Sequence, residues 1–222
     1  MAGTPAMRID HYEWPGGREA MLRFGPPGAP TVMAVLPFFE EGNRTRAAMV
    51  DVLRRLAAHG IAGALPDLPG TGESLTDIAD TSLSAWRSAF AAACAHVGDP
   101  VHICAWRSGV LVDGEASAAS RWYLAPQSGE ALTRELSRLR HLSGGTNIAG
   151  NAISDDLIAA LAIAEPTTTG RWRVARLTGD AKPADCLLPG RPLWRGSEPD
   201  TDPALQQAVA DDIATWINGV SA

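Results

Sequence analysis

Apolar runs closed by Gly or Pro alternate along this chain with segments whose apolar residues recur every three or four positions. Arg8 to Trp14 and Arg18 to Phe24 are short strand-like runs around Pro15-Gly16-Gly17, which predicts a β-hairpin. Gly25 to Pro30 is a turn-rich connector. Thr31 to Leu36 is a continuous run ending at Pro37, as expected of a strand covered on both faces. Phe38 to Asn43 then reads as a loop. From about Thr45 to His59 the positions Met49, Val52, Leu53 and Leu56 fall at helical spacing, with arginines opposite and Gly60 as the stop. Ile61 to Leu65 is the next strand, closed by the turn-rich Pro66 to Ser74. A helix follows from about Leu83 to Val97, with Ser82 or Ser84 as its cap.

Val101 to Ala105 is a further buried strand. It runs through a tight turn at Trp106 to Gly109 into the first turn of a helix. Arg121 to Ala125 is a strand ending at Pro126. Ser128 to Arg140 is a helix with Leu132, Leu136 and Leu139 along one face. Ser143 to Asn151 is small and polar, hence a loop. Ser154 to Glu165 is a short amphipathic helix with Asp155 and Asp156 in its first turn, where the helix dipole favours them. Arg171 to Leu177 reads as a strand, and Arg191 to Trp194 is a candidate for one more. The last helix runs from Pro203, placed in its first turn, to about Ile217.

A hairpin followed by alternating strands and helices predicts an α/β fold. Right-handed crossovers give a mostly parallel sheet with helices on both faces. Antiparallel strands feeding such a sheet resemble the α/β-hydrolase arrangement. The pattern predicts one domain over 1–222, with a reduced cap or lid region around 127–165. Ligands of such sheets bind at the carboxyl ends of the strands. Pro37 to Asn43, Pro66 to Ser74 and the turn at Trp106 to Gly109 meet there.

That last turn has small residues two before and two after its apex, the geometry of a nucleophile elbow. Its apex is Arg107, which is always charged and is no nucleophile. The general base of this fold follows the last strand, yet the histidines are His11, His59, His96, His102 and His141. The C-terminal third supplies none, which argues against a Ser-His-Asp mechanism. Ser108 has three readings: a backbone donor to an oxyanion hole, a helix cap, or a weak nucleophile candidate. Asp180 and Asp185 lie where a triad acid would sit and otherwise read as solvated loop carboxylates. Cys104 reads as a small buried residue, and Asp67 as organiser of its Gly-rich turn.

Phe38, Glu40, Glu41, Arg107 and Ser108 are then the expected lining of the strand-end crevice. An arginine at the positive end of a helix needs an anionic partner. Three possibilities stand: an ion pair with Glu40 or Glu41 that plugs the crevice, a pocket receiving a carboxylate, phosphate or acidic sugar, or a glutamate-assisted hydrolysis. Either way Arg107 is expected to point beside Phe38 to Glu41, with no histidine in hydrogen-bond reach of it or of Ser108.

Composition narrows the partners. The 222 residues carry a net charge of −6, with 20% charged and 45% hydrophobic residues, which gives no electrostatic footprint for nucleic acid. Lys182 is the sole lysine among 19 basic residues, a pattern that fits a GC-rich genome. Cys94, Cys104 and Cys186 are widely spaced and form no zinc or disulfide pattern, which suits a reducing compartment. No secretory h-region and no apolar run of about 18 residues is visible. The expected location is cytoplasmic, with no membrane span and no cofactor.

Asp67-Leu68-Pro69-Gly70-Thr71-Gly72-Glu73-Ser74 resembles the D-x-x-G-x-G-x-S loop of many α/β-hydrolases. Pro37 to Arg46 is similar to the P-F-x-E-E-x-N-x-x-R loop of the hydrolases associated with the exosortase A system. Ala105-Trp106-Arg107-Ser108-Gly109 resembles the G-L-R-x-G elbow of their second type, with Ala105 in place of Gly. Pro126 to Gly129 with Leu136 to Arg140, and Pro192-Leu193-Trp194 with Glu198-Pro199 and Trp216, resemble further segments. The likeness spans roughly 30–217. It implies an α/β-hydrolase-fold protein of bacterial exopolysaccharide and PEP-CTERM sorting. Arg107 at the nucleophile position and the missing C-terminal histidine make a non-catalytic or accessory role the expectation, with an acyl or sugar small molecule or a protein as partner. The alternative is an active hydrolase on an ester or acyl group that uses residues outside the triad.

Overall fold

The computed structural model describes residues 7–143 and 152–219. The eight strands are β1 (Arg8–Trp14), β2 (Gly17–Phe24), β3 (Thr31–Val35), β4 (Ala62–Pro66), β5 (Val101–Trp106), β6 (Ser120–Leu124), β7 (Trp172–Leu177) and β8 (Cys186–Leu188). The α-helices are α1 (Phe39–Ala58), α2 (Leu83–Val97), α3 (Gly129–Ser143), α4 (Asp155–Ala162) and α5 (Pro203–Asn218). The strands form one sheet in the order β1-β2-β4-β3-β5-β6-β7-β8. The β1–β2 and β2–β4 pairings are antiparallel and every other pairing is parallel.

Both faces of the sheet are covered. Val32 and Ala34 of β3 join Cys104 and Trp106 of β5 against α1 and α5, through Met49, Leu53, Val209 and Ile213. The alternate residues Met33, Val35, Ile103 and Ala105 pack with Trp86 and Phe90 of α2, Leu136 of α3 and Leu161 of α4. The period-two alternation of each strand thus feeds two cores, which is why the central strands read as unbroken apolar runs.

Four elements differ from the sequence reading. Helix α1 begins at Phe39, so Glu40 and Glu41 lie in its first turn and not in a loop. Acidic residues suit that end of a helix. Gly42 is needed there: a Cβ would lie 2.5 Å from the Pro37 carbonyl oxygen. The elbow opens no α-helix. It continues as 3-10 turns at Arg107–Leu111 and Asp113–Glu115. Asp113 pins the second turn to β6, its Oδ2 accepting from Arg121 Nε at 3.1 Å and Tyr123 Oη at 2.5 Å. Arg191 to Trp194 is not a strand; Leu193–Arg195 is a 3-10 turn, and the last strand is Cys186–Leu188. Leu132 and Leu136 of α3 are buried, whereas Leu139 is 42% exposed. The caps of α2 and α4 are Ser82 and Ser154, and Ser128 accepts from the Ala131 N–H. The segment Ser143 to Asn151, apart from Ser143 itself, lies outside the described residues. No helix among the described residues is long and apolar enough to cross a membrane.

Helix α5 is fixed to the sheet by one carboxylate. Asp212 accepts from Trp122 Nε1 of β6 at 2.7 Å and from Arg173 Nε and Nη2 of β7 at 3.0 and 2.9 Å. Burial would raise this carboxyl, but the bonds from Arg173 and Trp122 outweigh it and hold it below the usual aspartate range. Its folded pKa is lower than its unfolded one. The stability it contributes is therefore complete above the ordinary value of 3.8 and lost as pH falls through the depressed folded value. Asp212→Asn is expected to lower the unfolding free energy by about 1.5–3 kcal/mol at neutral pH. Urea unfolding across pH should show the gap from wild type narrowing in acid, and a gap independent of pH would refute the assignment.

Candidate active site

The carboxyl ends of β3 and β5 lie side by side, with Val35 paired to Ala105. Beyond β5 the chain reverses at Arg107, whose φ is +53°. That left-handed conformation strains a non-glycine residue and lifts its side chain above the sheet. Gly109 makes the reversal possible, because a Cβ there would lie 2.6 Å from the Leu36 carbonyl oxygen.

The Arg107 guanidinium is held by carboxylates from two helices. Its Nε and Nη2 donate to Glu41 Oε2 and Oε1 of α1, each at 3.1 Å. Nη2 also reaches Glu135 Oε2 of α3 at 3.4 Å, and Gln127 Nε2 donates to that same oxygen at 2.9 Å. The Trp194 ring lies 5.4 Å from the guanidinium carbon. The Arg107 and Glu41 side chains are only 14% and 16% exposed, against 50% for Glu135. Burial raises the Glu41 carboxyl, with the Arg107 bond and charge acting against it and Glu135 adding to it. Glu40, one position earlier, makes no ion pair with Arg107. Nε and Nη2 are engaged, whereas Nη1 makes no hydrogen bond to a described residue, so an incoming anion meets Nη1 or displaces a glutamate.

Ser108 is fully buried and caps no helix. Its Oγ accepts the Phe38 N–H at 2.9 Å. In a hydrolytic elbow the oxyanion donors are the N–H after the apex and one from the loop following β3. Ser108 and Phe38 occupy those places, and the Phe38 donor is already engaged. The Phe38 ring is 7% exposed and sits 4.6 Å from the Trp86 ring.

The other expected site residues lie elsewhere. Asp180 Oδ2 accepts from Arg176 Nη1 at 2.9 Å, and its Oδ1 from the Lys182 N–H at 3.1 Å. Burial raises its carboxyl, but these bonds hold it below the ordinary range. Asp185 accepts the Val174 N–H. The histidine rings with side-chain partners are His96 with Asp10, His59 with Asp211, and His102 with Ser120. His102 lies near the start of β5, opposite Val32, away from the elbow. Burial lowers its pKa, with Arg171 adding to the effect. Cys104 is buried on the α1 face, and burial pushes its thiol up to about 12. Asp67 Oδ2 accepts the Glu73 N–H at 3.1 Å across the Gly-rich turn, while Oδ1 pairs with Arg46 Nη2 at 3.0 Å. Among the described residues no group of His, Cys, Asp and Glu could hold a metal ion.

Gln127, Glu135 and Arg46 are participants that sequence reasoning did not select. The apolar periodicity of α3 predicts which of its residues are buried, and gives no reason to aim Glu135 at a turn 28 positions earlier.

Sheet order, the hairpin and the elbow together decide the fold. It is an α/β-hydrolase fold. No family model and no curated protein matches the chain. Solved structures match it over nearly its whole length. The alpha/beta hydrolase domain-containing protein 10 from mouse superposes with a TM-score of 0.69 at 12% identity, covering 96% of this chain and 99% of that one. Est1E from Butyrivibrio proteoclasticus, solved with ferulic acid bound, gives 0.60 at 15% identity over 95% and 98%. The thioesterase domain from the curacin biosynthetic pathway gives 0.56 at 16% identity over 96% and 99%. At these identities the likeness is one of α/β-hydrolase fold alone.

The two carboxylates on Arg107 are not equivalent. Glu41→Ala leaves a largely buried guanidinium without its bidentate partner and is expected to cost about 1.5–3 kcal/mol. Glu135→Ala removes a longer, half-exposed contact and is expected to cost under about 1 kcal/mol. Denaturant midpoints compare the two, and an equal or reversed order would disprove the clasp.

Proposed function

We propose that this chain is a non-hydrolytic protein on an α/β-hydrolase fold, a binding or accessory factor whose elbow serves as a structural clasp. One observation carries the reading: the elbow is closed from within. Glu41 engages the Arg107 guanidinium while the Ser108 hydroxyl engages the Phe38 N–H. Acyl transfer needs a nucleophile at the apex, a base bonded to it, and free N–H donors for the developing oxyanion. A single oxyanion donor is worth about 100–1000-fold in kcat. Arg107 cannot attack, and the histidine rings with side-chain partners face Asp10, Asp211 and Ser120.

The biological setting we propose comes from the resemblance of Pro37 to Arg46 and Ala105 to Gly109. It is an accessory role beside exosortase A-type PEP-CTERM sorting and exopolysaccharide export in a bacterium. The protein would be cytoplasmic, with an acyl or sugar compound or a protein as its partner. The competing reading is an ester or acyl hydrolase acting through non-triad residues, with Ser108 and Asp180 as its candidates. The fold it shares with a thioesterase domain and with Est1E supports that reading only at the level of architecture.

Two reagents separate the readings. The purified protein is expected to leave short p-nitrophenyl esters intact and to take up no fluorophosphonate probe. Arg107→Ser is expected to stay silent as well, since it restores a hydroxyl without a base. Turnover or labelling that disappears in Ser108→Ala would establish the hydrolase instead.

A further inference from the structure

A cavity of about 200 Å³ opens at the ends of β3 and β4. It shares the Phe38–Phe39 segment with the elbow, but its lining includes none of Arg107, Ser108 or Glu41. It is therefore a separate space from the clasp. A dry apolar cavity of about 150 Å³ holds a benzene molecule. This one has room for such a ring and a short substituent, and is too small to house a lipid acyl chain.

Its walls are chiefly aromatic and aliphatic: Phe38, Phe39, Trp86, Phe90, Leu68 and Ile78. The ring centroids of Phe38 and Phe39 lie 4.6 and 6.2 Å from that of Trp86. Those spacings are the ones at which aromatic rings attract by offset or edge contacts. Trp86 is fixed, its Nε1 donating to the Pro69 carbonyl at 2.8 Å. Phe39 holds a φ of +57°, a conformation glycine takes freely and phenylalanine only under strain.

The single charged side chain in the lining is Arg46. Its Nη2 pairs with Asp67 Oδ1 at 3.0 Å, and the side chain is 34% exposed. A guanidinium carries five N–H donors in a planar fork suited to carboxylates. Asp67 Oδ1 lies beside Nη2 as a charge contact without hydrogen-bond alignment, so the donors of the guanidinium remain for another acceptor. A ring-bearing cation would gain from the aromatic walls but meet the Arg46 charge.

We propose that this cavity binds a small aromatic carboxylate of about benzoate size. The ring lies among Phe39, Trp86 and Phe90, and the carboxylate meets Arg46. The assignment rests on the reading of the fold as a binding scaffold and gives that scaffold a ligand class and a place.

Calorimetric titration of the full chain with sodium benzoate tests it, with benzyltrimethylammonium as a cation of similar size. Saturable 1:1 benzoate binding is expected, at least tenfold weaker in Arg46→Met and clearly weakened in Ile78→Phe, which narrows the cavity without altering the ion pair. If Arg46→Met fails to fold, Ile78→Phe decides alone. No benzoate binding up to about 10 mM, binding unaffected by Ile78→Phe, or tighter binding of the cation overturns the proposal. The ester assay separates the two claims. Benzoate binding together with Ser108-dependent ester turnover would sink the non-hydrolytic reading and leave the site standing. Silence in both would sink the site alone.

Discussion

The Leu36 carbonyl lies where a side chain at position 109 would have to go, 2.6 Å from the place of its Cβ. This close approach of two backbones governs the top of the sheet. It brings the turn after β5 against the loop after β3 and puts the Ser108 hydroxyl on the Phe38 N–H. It also accompanies the left-handed φ at Arg107 that lifts the apex side chain above the strands. The same approach in a hydrolase presents a nucleophile to an oxyanion hole. Here the hydroxyl and the amide face each other, so the local geometry is kept while the groups that define its chemistry are engaged internally.

The first turns of α1 carry this contact to the rest of the rim. Glu41 holds the elbow, Arg44 Nη1 donates to the Trp194 carbonyl at 3.3 Å, and Arg46 holds Asp67 after β4. Three loops distant in sequence are tied to one short stretch of helix. Burial raises the Glu41 carboxyl, whereas a place in the first turn of a helix favours its charge. Because the guanidinium is largely buried too, losing Arg107 strands the Glu41 carboxylate, while losing Glu41 leaves the guanidinium only the longer Glu135 contact. The pair therefore specifies geometry more than it adds net stability.

Much of this architecture is legible in the sequence, and the parts that are not share a cause. Strand order and layering follow from apolar runs, because a strand covered on both faces has no polar alternation to hide it. The elbow is legible because close packing leaves small residues at fixed offsets. The start of α1 is not, since Glu40 to Asn43 has no apolar period and reads as part of a loop. Its glycine answers to the Pro37 carbonyl, a tertiary neighbour that propensity does not see. Strand β8 is three residues long, too short to show a period. At the candidate site, the Glu40-Glu41 pair and Arg107 can be picked out, but the choice of Glu41 is made by the rotation of α1. Glu135, Gln127 and the Arg46–Asp67 pair are products of packing between segments and leave no local pattern.

An arginine at the apex looks costly from sequence, since the N-terminus of a long helix would repel it. The structure removes that objection. The apex opens a five-residue 3-10 turn, whose few aligned peptides sum to little dipole. The shortening of this helix and the arginine at its start are therefore mutually consistent. A long helix would oppose the guanidinium and favour an anion or a developing oxyanion. A vestigial one does neither, and leaves the charge to Glu41 and Glu135. The left-handed apex, a conformation that costs of order 1–3 kcal/mol, is held in place by the bidentate pair with Glu41. An elbow of this form presents an arginine at its apex and no long helix dipole behind it. The binding role proposed above draws on that combination.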